Sequence, residues 1–139
     1  MRTAIDTNVI SALWSSEPLA SRVAATLGRA HNEGGLVICP CVHAELLAHP
    51  AASERFVDEF LAATKVVVDF TIEEPVWREA GRRFAAYADR RRGSGGGSAK
   101  RLLADFIVGA HAALRADHLL TLDGSRYRQD FPQLVLIET

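Results

Sequence analysis

Residues 1–14 read MRTAIDTNVISALW, a short apolar run that ends in a carboxylate. The segment TAI at 3–5 has the apolar, partly β-branched character of a buried strand, and Asp6 follows it directly. Thr7 and Asn8 can hydrogen-bond the Asp6 carboxylate or cap a helix that begins there. This order predicts a strand-to-helix unit with an acidic side chain at the carboxyl end of the strand.

Similar apolar runs recur along the chain and are predicted to be strands. They are continuous rather than alternating, which is typical of a parallel sheet covered on both faces. Stretches with apolar residues at helical spacing separate them, so the order βαβαβαβ predicts a three-layer α/β/α sandwich with a mostly parallel sheet of about five strands. The further strand candidates are LVIC at 36–39, VVVDF at 66–70, HLLTL at 118–122 and LVLIE at 134–138.

The chain has the size and composition of one domain. Its 139 residues are 48% hydrophobic, which supports one substantial core but not two ordinary domains, so residues 1–139 are predicted to form a single unit. A glycine- and serine-rich stretch at 90–101 is predicted to be a flexible connection inside that unit. It is not a domain boundary, because the helical pattern after it needs the same sheet to bury its apolar face.

The lack of recognisable targeting signals and the cysteine content both favour the cytoplasm. The sequence has no apolar run long enough to span a membrane and no secretory leader pattern at its start. Its two cysteines, Cys39 and Cys41, are one residue apart, which leaves no disulfide framework. We therefore expect a soluble cytoplasmic protein without a membrane partner.

Four acidic residues occupy positions expected near the carboxyl edge of the sheet. Asp6 and Asp123 directly follow strand candidates, Glu45 lies in a helix that begins near Pro40, and Asp105 interrupts an apolar helix. Ligands of open parallel sheets bind at this edge, so the four carboxylates are predicted to converge there. Each residue also has an ordinary interpretation as a cap, a turn residue or an exposed helix position.

Converging carboxylates need compensation. Two unit charges ~4 Å apart repel by about 4 kcal/mol at an effective dielectric of 20. The nearby LLTLD segment at 119–123 contains no lysine, so either the carboxyl pKa values rise or a divalent cation binds. Hard oxygen ligands favour Mg²⁺ or Mn²⁺ over zinc, which predicts an acidic metal site.

At these residues the chain resembles the PIN-domain ribonucleases, and more narrowly the VapC toxins of bacterial toxin–antitoxin pairs. The resemblance covers nearly the whole length and implies the same α/β/α sandwich. The matching segments are AIDTNVI with Asp6 and Asn8, HAELL with Glu45, LADFIVGAHA with Asp105, and TLDGSRY with Thr121, Asp123 and Tyr127.

The resemblance implies metal-dependent endonucleolytic hydrolysis of RNA phosphodiesters. Mg²⁺, or Mn²⁺ in its place, would be held mainly by Asp6 and Asp105. Glu45 and Asp123 would complete the site directly or through water, with one ion or two left open. Thr121 would position a water or a carboxylate, and Asn8 belongs to the same expected site.

The resemblance also implies protein partners. These are a small antitoxin that covers apolar helices and blocks the pocket, and a second copy of the chain in a homodimer. Leu13, Trp14 and Trp77 are candidates for the antitoxin surface, although at least one tryptophan is expected in the core.

A basic segment at 78–101 is the candidate RNA contact. The formal net charge of −1 exerts no general attraction on polyanions, so nucleic-acid binding requires local clustering of cations. We predict that this segment grips RNA phosphates, with a solvated helix face as the alternative. Its cations are Arg78, Arg82, Arg83, Arg90, Arg91, Arg92, Lys100 and Arg101, against Glu79 and Asp89.

Three other interpretations stay open at this point. Cys39, Cys41 and His43 offer zinc ligands, but in zinc deaminases the cysteines follow the H-x-E motif rather than precede it. A phosphoryl-transfer or receiver domain would also place an aspartate after its first strand, although Asn8 and Asp123 stand where such sites require an aspartate and a lysine. The third is a PIN-like module that binds RNA or protein without cutting.

Overall fold

The computed structural model describes residues 1–16, 18–95 and 102–139. Five strands in that part of the chain form one parallel sheet in the order β3-β2-β1-β4-β5. The three-layer sandwich with a parallel five-stranded sheet is confirmed. The strands are β1 (Thr3–Ile5), β2 (Leu36–Ile38), β3 (Val66–Val68), β4 (His118–Thr121) and β5 (Leu136–Glu138).

Two helices, rather than one, precede each of β2, β3 and β4, which differs from the simple alternation expected. Between β2 and β3, for example, a first helix ends at Leu46 and a second begins at Glu54. Ser53 starts the second helix by accepting a hydrogen bond from the Phe56 amide at 3.1 Å. The helices are α1 (Thr7–Trp14), α2 (Ala20–Glu33), α3 (Pro40–Leu46), α4 (Glu54–Thr64), α5 (Glu74–Gly93), α6 (Leu103–Arg115) and α7 (Ser125–Arg128).

The strand order creates a crevice beside β1. From β1 the chain builds outward to β2 and β3 on one side, and then to β4 and β5 on the other. Ligand sites of open parallel sheets lie where the strand order reverses, outside the carboxyl ends of the strands. In this fold that point lies between the ends of β1 and β4, directly after Ile5 and Thr121.

Helix α6 crosses the middle of the molecule. Seven consecutive residues, Phe106 to Ala112, are buried, and the first turn of the helix carries Asp105. Gly109 permits this depth, because a Cβ atom there would lie 2.4 Å from the ring of Phe131. The buried helix therefore carries an acidic side chain to the carboxyl edge of the sheet.

The glycine- and serine-rich stretch begins later than expected. Arg90, Arg91 and Arg92 lie in the last turn of α5, and only after Gly93 does the helix end. The expectation of a flexible connection over 90–101 is therefore wrong for its first residues, and positions 96–101, with Lys100 and Arg101, lie outside the described residues. Of the described helices, none combines the length and apolarity needed to cross a bilayer.

Candidate functional site

Asp6 is held by three donors at the end of β1. The residue is 5% exposed, and its backbone amide is fixed by the Leu120 carbonyl at 2.9 Å. Its Oδ1 accepts from the Thr7 amide at 2.8 Å, while Oδ2 accepts from the hydroxyls of Thr121 at 2.9 Å and Tyr127 at 2.8 Å. Asp6 is thus both the N-cap of α1 and a side chain with a fixed orientation at the crevice.

Thr121 joins the ends of β1 and β4. Its hydroxyl, which is fully buried, donates to Asp6 and accepts from the amide of Asp123 at 3.1 Å. The Asn8 side chain donates to the same hydroxyl at 3.5 Å and accepts from the Leu122 amide at 3.1 Å. Through these contacts Thr121 orients the Asp6 carboxylate, and Asn8 supports Thr121.

Arg126 lies between two of the other carboxylates. Its Nε is 3.1 Å from Asp123 Oδ2, and its Nη1 is 3.5 Å from Asp105 Oδ1. Partial burial opposes its charge, yet Asp105, Asp123 and Asp6 together raise the pKa of Arg126. The Ser125 hydroxyl, which donates to Asp123 Oδ1 at 2.6 Å, and then the Arg126 charge lower the pKa of Asp123. Asp105 and Asp123 therefore contact one guanidinium group, and the charge of Asp6 also acts on it.

Tyr127 is a site residue whose role the motif did not indicate. The TLDGSRY match identified it only as an aromatic, but its hydroxyl reaches Asp6 and its side chain is completely buried. Burial, and next the Asp6 charge, raises the pKa of Tyr127, so the phenol remains a neutral donor. Arg126 was not identified from the sequence. Converging carboxylates were the signal there, and nothing in that signal selects the arginine that precedes Tyr127.

Glu45 stands beside the cluster rather than inside it. It is exposed on α3, and its Oε1 accepts from the Thr7 hydroxyl at 2.7 Å. Thr7 is adjacent to Asp6, so Glu45 is connected to the aspartates through the first residue of α1. The placement of its helix after β2 agrees with the expectation.

The donor set suits a hard dication. Every candidate ligand at this edge is a carboxylate oxygen, and a cationic side chain already occupies the space between two of them. Within the described ranges, no three Asp, Glu, His or Cys side chains form a group ready to hold a metal. The residues thus fit Mg²⁺ or Mn²⁺ by chemistry, provided that the side chains close around the ion.

The cysteines beside this edge do not favour zinc. Burial raises the pKa of Cys39 to about 12, and burial likewise raises the pKa of Cys41. Zinc binds thiolates, and protonated thiols of this kind are poor ligands. Cys39 and Cys41 are both free, and reduced cysteines at a strand end remain the better interpretation.

The arginines of α5 are largely paired with acidic neighbours. Arg82 and Arg83 both contact Glu79, while Arg90 bonds the buried carboxylate of Asp130. Arg78 and Arg92 are paired with Glu74 and Asp89. Except for the Arg90 pair, these are exposed or partly exposed contacts within one helix, and such pairs contribute little stability. The helix is therefore a mixed-charge surface with an excess of arginine.

The fold, the acidic edge and the comparison with family models define the class of this protein. The model of the PIN domain matches residues 3–132, so the chain belongs to the PIN domain family. A search of curated proteins finds no significant match to this chain.

Three of the solved structures that resemble this chain illustrate the shared fold. VapBC2 from Rickettsia felis, solved bound to a DNA fragment from its promoter, gives a TM-score of 0.69 at 17% identity, with 100% of this chain and 99% of that chain covered. VapBC-1 from nontypeable Haemophilus influenzae gives 0.67 at 19% identity, covering 99% and 98%. FitAcB from Neisseria gonorrhoeae gives 0.65 at 20% identity, covering 98% and 96%. At these identities the likeness concerns the fold.

The strand order also argues against a receiver domain. Receiver domains have the order 2-1-3-4-5, whereas this sheet has the order 3-2-1-4-5. A receiver site requires a lysine near the end of this strand. Two positions after β4 this chain instead has Asp123, which pairs with Arg126. Neither feature fits a receiver domain.

Proposed function

We propose that this chain is a metal-dependent endoribonuclease and the toxin of a toxin–antitoxin pair. The observation that carries the proposal is the placement of Arg126 against Asp105 and Asp123, with the charge of Asp6 acting on the same guanidinium, at the strand-order reversal of a PIN fold. These residues come from three separate parts of the chain. A metal-binding role accounts for this placement, whereas the mutual repulsion of the aspartates by itself opposes folding.

In this proposal each residue has a distinct task. Asp6 and Asp105 are the main ligands of Mg²⁺ or Mn²⁺, and Asp123 and Glu45 complete the site directly or through water. Thr121 and Asn8 hold Asp6 in place through the contacts described above. The bound ion would lower the pKa of a water and stabilise charge on the scissile phosphate.

RNA is the proposed substrate, with α5 as its candidate contact surface. The exposed pairs that Arg78, Arg82 and Arg92 make with neighbouring acids are weak enough for phosphates to compete with them. Binding through these arginines would weaken steeply as salt rises. Arg90 is the exception, because its partner Asp130 is buried.

An antitoxin is the proposed partner, supported by three fold relatives that are toxin–antitoxin or comparable two-protein structures by name. An apolar cleft of about 420 Å³ between α1, α2 and α4 supports such a partner, with Leu13, Leu27 and Phe60 among its lining residues. Trp14 packs against Phe56 and Phe60 instead of lining this cleft, while Trp77 is 49% exposed.

We also propose that two copies of the chain form a homodimer. We further propose a cytoplasmic location, because free cysteines are typical of a reducing compartment.

The decisive experiment is RNA cleavage by the purified chain in EDTA and after addition of Mg²⁺ or Mn²⁺. We expect cleavage with metal only, and a loss of roughly 100-fold or more, about 2.7 kcal/mol, in Asp6→Asn and in Asp105→Asn. Expression of the wild-type chain alone should arrest growth, and neither variant should do so.

Asp58→Asn is the matched control, because the Asp58 side chain is 71% exposed on α4 and lies outside the cluster. It should cleave at the wild-type rate. Full activity of either site variant, or cleavage that persists in EDTA, would contradict the metal-dependent mechanism. RNA binding without cleavage under any of these conditions would favour the non-cleaving module.

A further inference from the structure

Arg126 contacts two of the aspartates that are proposed as metal ligands. It is the second residue of the short helix α7, and its guanidinium contacts Asp123 at 3.1 Å and Asp105 at 3.5 Å. Asp6 acts on the same guanidinium through its charge. Two of the aspartates proposed as metal ligands therefore contact a cation that is part of the chain, and the third acts on it through its charge.

The neighbouring residue holds this arginine at the site. Tyr127 is completely buried and is bonded to Asp6, which fixes the backbone of α7 against the end of β1. The Arg126 side chain is 47% exposed, so its guanidinium lies at the mouth of the site rather than in the core. It can leave the carboxylates for water without opening the core or breaking the Tyr127 contact.

Electrostatic repulsion sets the arginine and a metal in competition for the same carboxylates. Without a cation the three aspartates would repel one another, and Arg126 relieves that repulsion in the metal-free protein. A dication that binds the same oxygens would face the positive guanidinium at close range. Either the arginine moves away or the ion binds less tightly.

We propose that Arg126 is the resident counter-cation of the site, which Mg²⁺ or Mn²⁺ must displace before the aspartates can close around it. The inference rests on the metal site of the proposed function. Arg126 thereby stabilises the metal-free protein and weakens metal affinity, so the site loads only when the ion is abundant enough to replace it.

The test measures metal affinity and stability, neither of which depends on cleavage. Binding of Mn²⁺ to the full chain would be followed by isothermal titration calorimetry. Arg126→Gln should lower the Kd about tenfold, equal to about 1.4 kcal/mol. Its melting temperature without metal should fall below that of the wild type, and the difference should shrink in saturating Mn²⁺. Arg126→Lys, which retains the charge, should stay closer to the wild-type Kd.

Arg128→Gln is the matched control. Arg128 lies in the same helix but pairs with Glu138 instead of the aspartates, so its loss should leave the Kd unchanged. An equal gain in Mn²⁺ affinity in Arg128→Gln would show that the gain comes from the more negative net charge of the protein, and it would overturn the proposal. So would equal Kd values in Arg126→Gln and wild type.

The outcome also separates this inference from the proposed function. Asp105→Asn should abolish Mn²⁺ binding in the presence or absence of Arg126. If the wild type binds Mn²⁺ and Arg126→Gln binds it equally well, only the displacement proposal fails. If neither protein binds Mn²⁺, the metal site itself is refuted, and the role of Arg126 with it.

Discussion

At the scale of single residues, Asp6 shows how a helix cap and a carboxylate proposed as a metal ligand can be the same side chain. The cap uses Oδ1, which accepts from the Thr7 amide, and the site contacts use Oδ2, which accepts from Thr121 and Tyr127. Donors on both oxygens restrict rotation of the carboxylate. A carboxylate fixed in this way can bind an ion without losing further side-chain freedom.

Tyr127→Phe tests the contact that the motif did not indicate. The change removes the Tyr127 hydroxyl that donates to Asp6 Oδ2. The buried, charged Asp6 carboxylate then accepts one hydrogen bond fewer. We expect the free energy of unfolding to fall by about 1.5–3 kcal/mol, measured by urea denaturation. Cleavage should also slow, because Asp6 gains freedom.

A double-mutant cycle provides the control for this variant. In the Asp6→Asn background, Tyr127→Phe should cost clearly less stability, because the charged acceptor is already absent. An identical loss in both backgrounds would mean that Tyr127 acts through packing alone.

At the scale of elements, the depth of α6 determines whether Asp105 reaches the site. The helix is buried through two turns, and Gly109 brings it against Phe131, whose ring also lies near Phe106. A larger residue at 109 would force the helix and the ring apart. Asp105, one turn earlier, would move with the helix.

Gly109→Ala is therefore expected to destabilise the protein although alanine favours helices. The added Cβ would lie 2.4 Å from the Phe131 ring, and overpacking of this kind costs about 1–3 kcal/mol. Thermal or urea unfolding would measure the loss.

Gly81→Ala in α5 is the paired control. Among the described residues, no atom outside the local helix backbone lies within 4 Å of a Cβ built there, so only helix propensity changes, and stability should rise by about 0.5–1 kcal/mol. Equal responses at Gly81 and Gly109 would show that the close approach to Phe131 has no energetic consequence.

At the scale of the whole molecule, a buried histidine joins two elements outside the site. His111 of α6 is 1% exposed, and its Nε2 lies 3.0 Å from Asp69 Oδ2, just after β3. Its Nδ1 is buried and finds no hydrogen-bond partner among the described residues. The geometry suits a neutral imidazole that donates from Nε2.

This histidine makes stability depend on pH. Burial, together with the charges of Arg2 and Arg115, lowers the pKa of His111, although Asp69 opposes the change. As pH falls below about 6.5, the unfolded chain takes up a proton that the folded protein resists, so stability decreases. The slope attributable to this group is at most about 1.4 kcal/mol per pH unit.

Urea unfolding between pH 7.5 and pH 5, a range spanning the ordinary histidine pKa of about 6.5, measures this dependence. His111→Gln should flatten the slope, since glutamine does not titrate, whereas His31→Gln on α2 should retain it. A wild-type slope that survives in His111→Gln would assign the pH dependence to other groups.

The sequence by itself determined the class of fold and the candidate carboxylates. Continuous apolar runs placed all five strands to within two residues of their observed bounds, and Asp6 and Asp123 could be selected because they follow β1 and β4. Local patterns suffice for such features, because consecutive buried residues of the central strands β1, β2 and β4 appear as continuous apolar runs. The presence of two helices, rather than one, between successive strands was harder to predict from the sequence, since it depends on single capping residues such as Ser53.

The tertiary structure alone decided which side chains meet at the site. Tyr127 and Asp6 are 121 positions apart, and Thr121 and Asp6 are 115 apart, so their hydrogen bonds depend on β4 pairing beside β1 in one register. The placement of Arg126 between Asp105 and Asp123 likewise follows from the packing of α6 and α7. Apolar patterns are compatible with several strand orders, and only the packed core selects the one that brings these charges together.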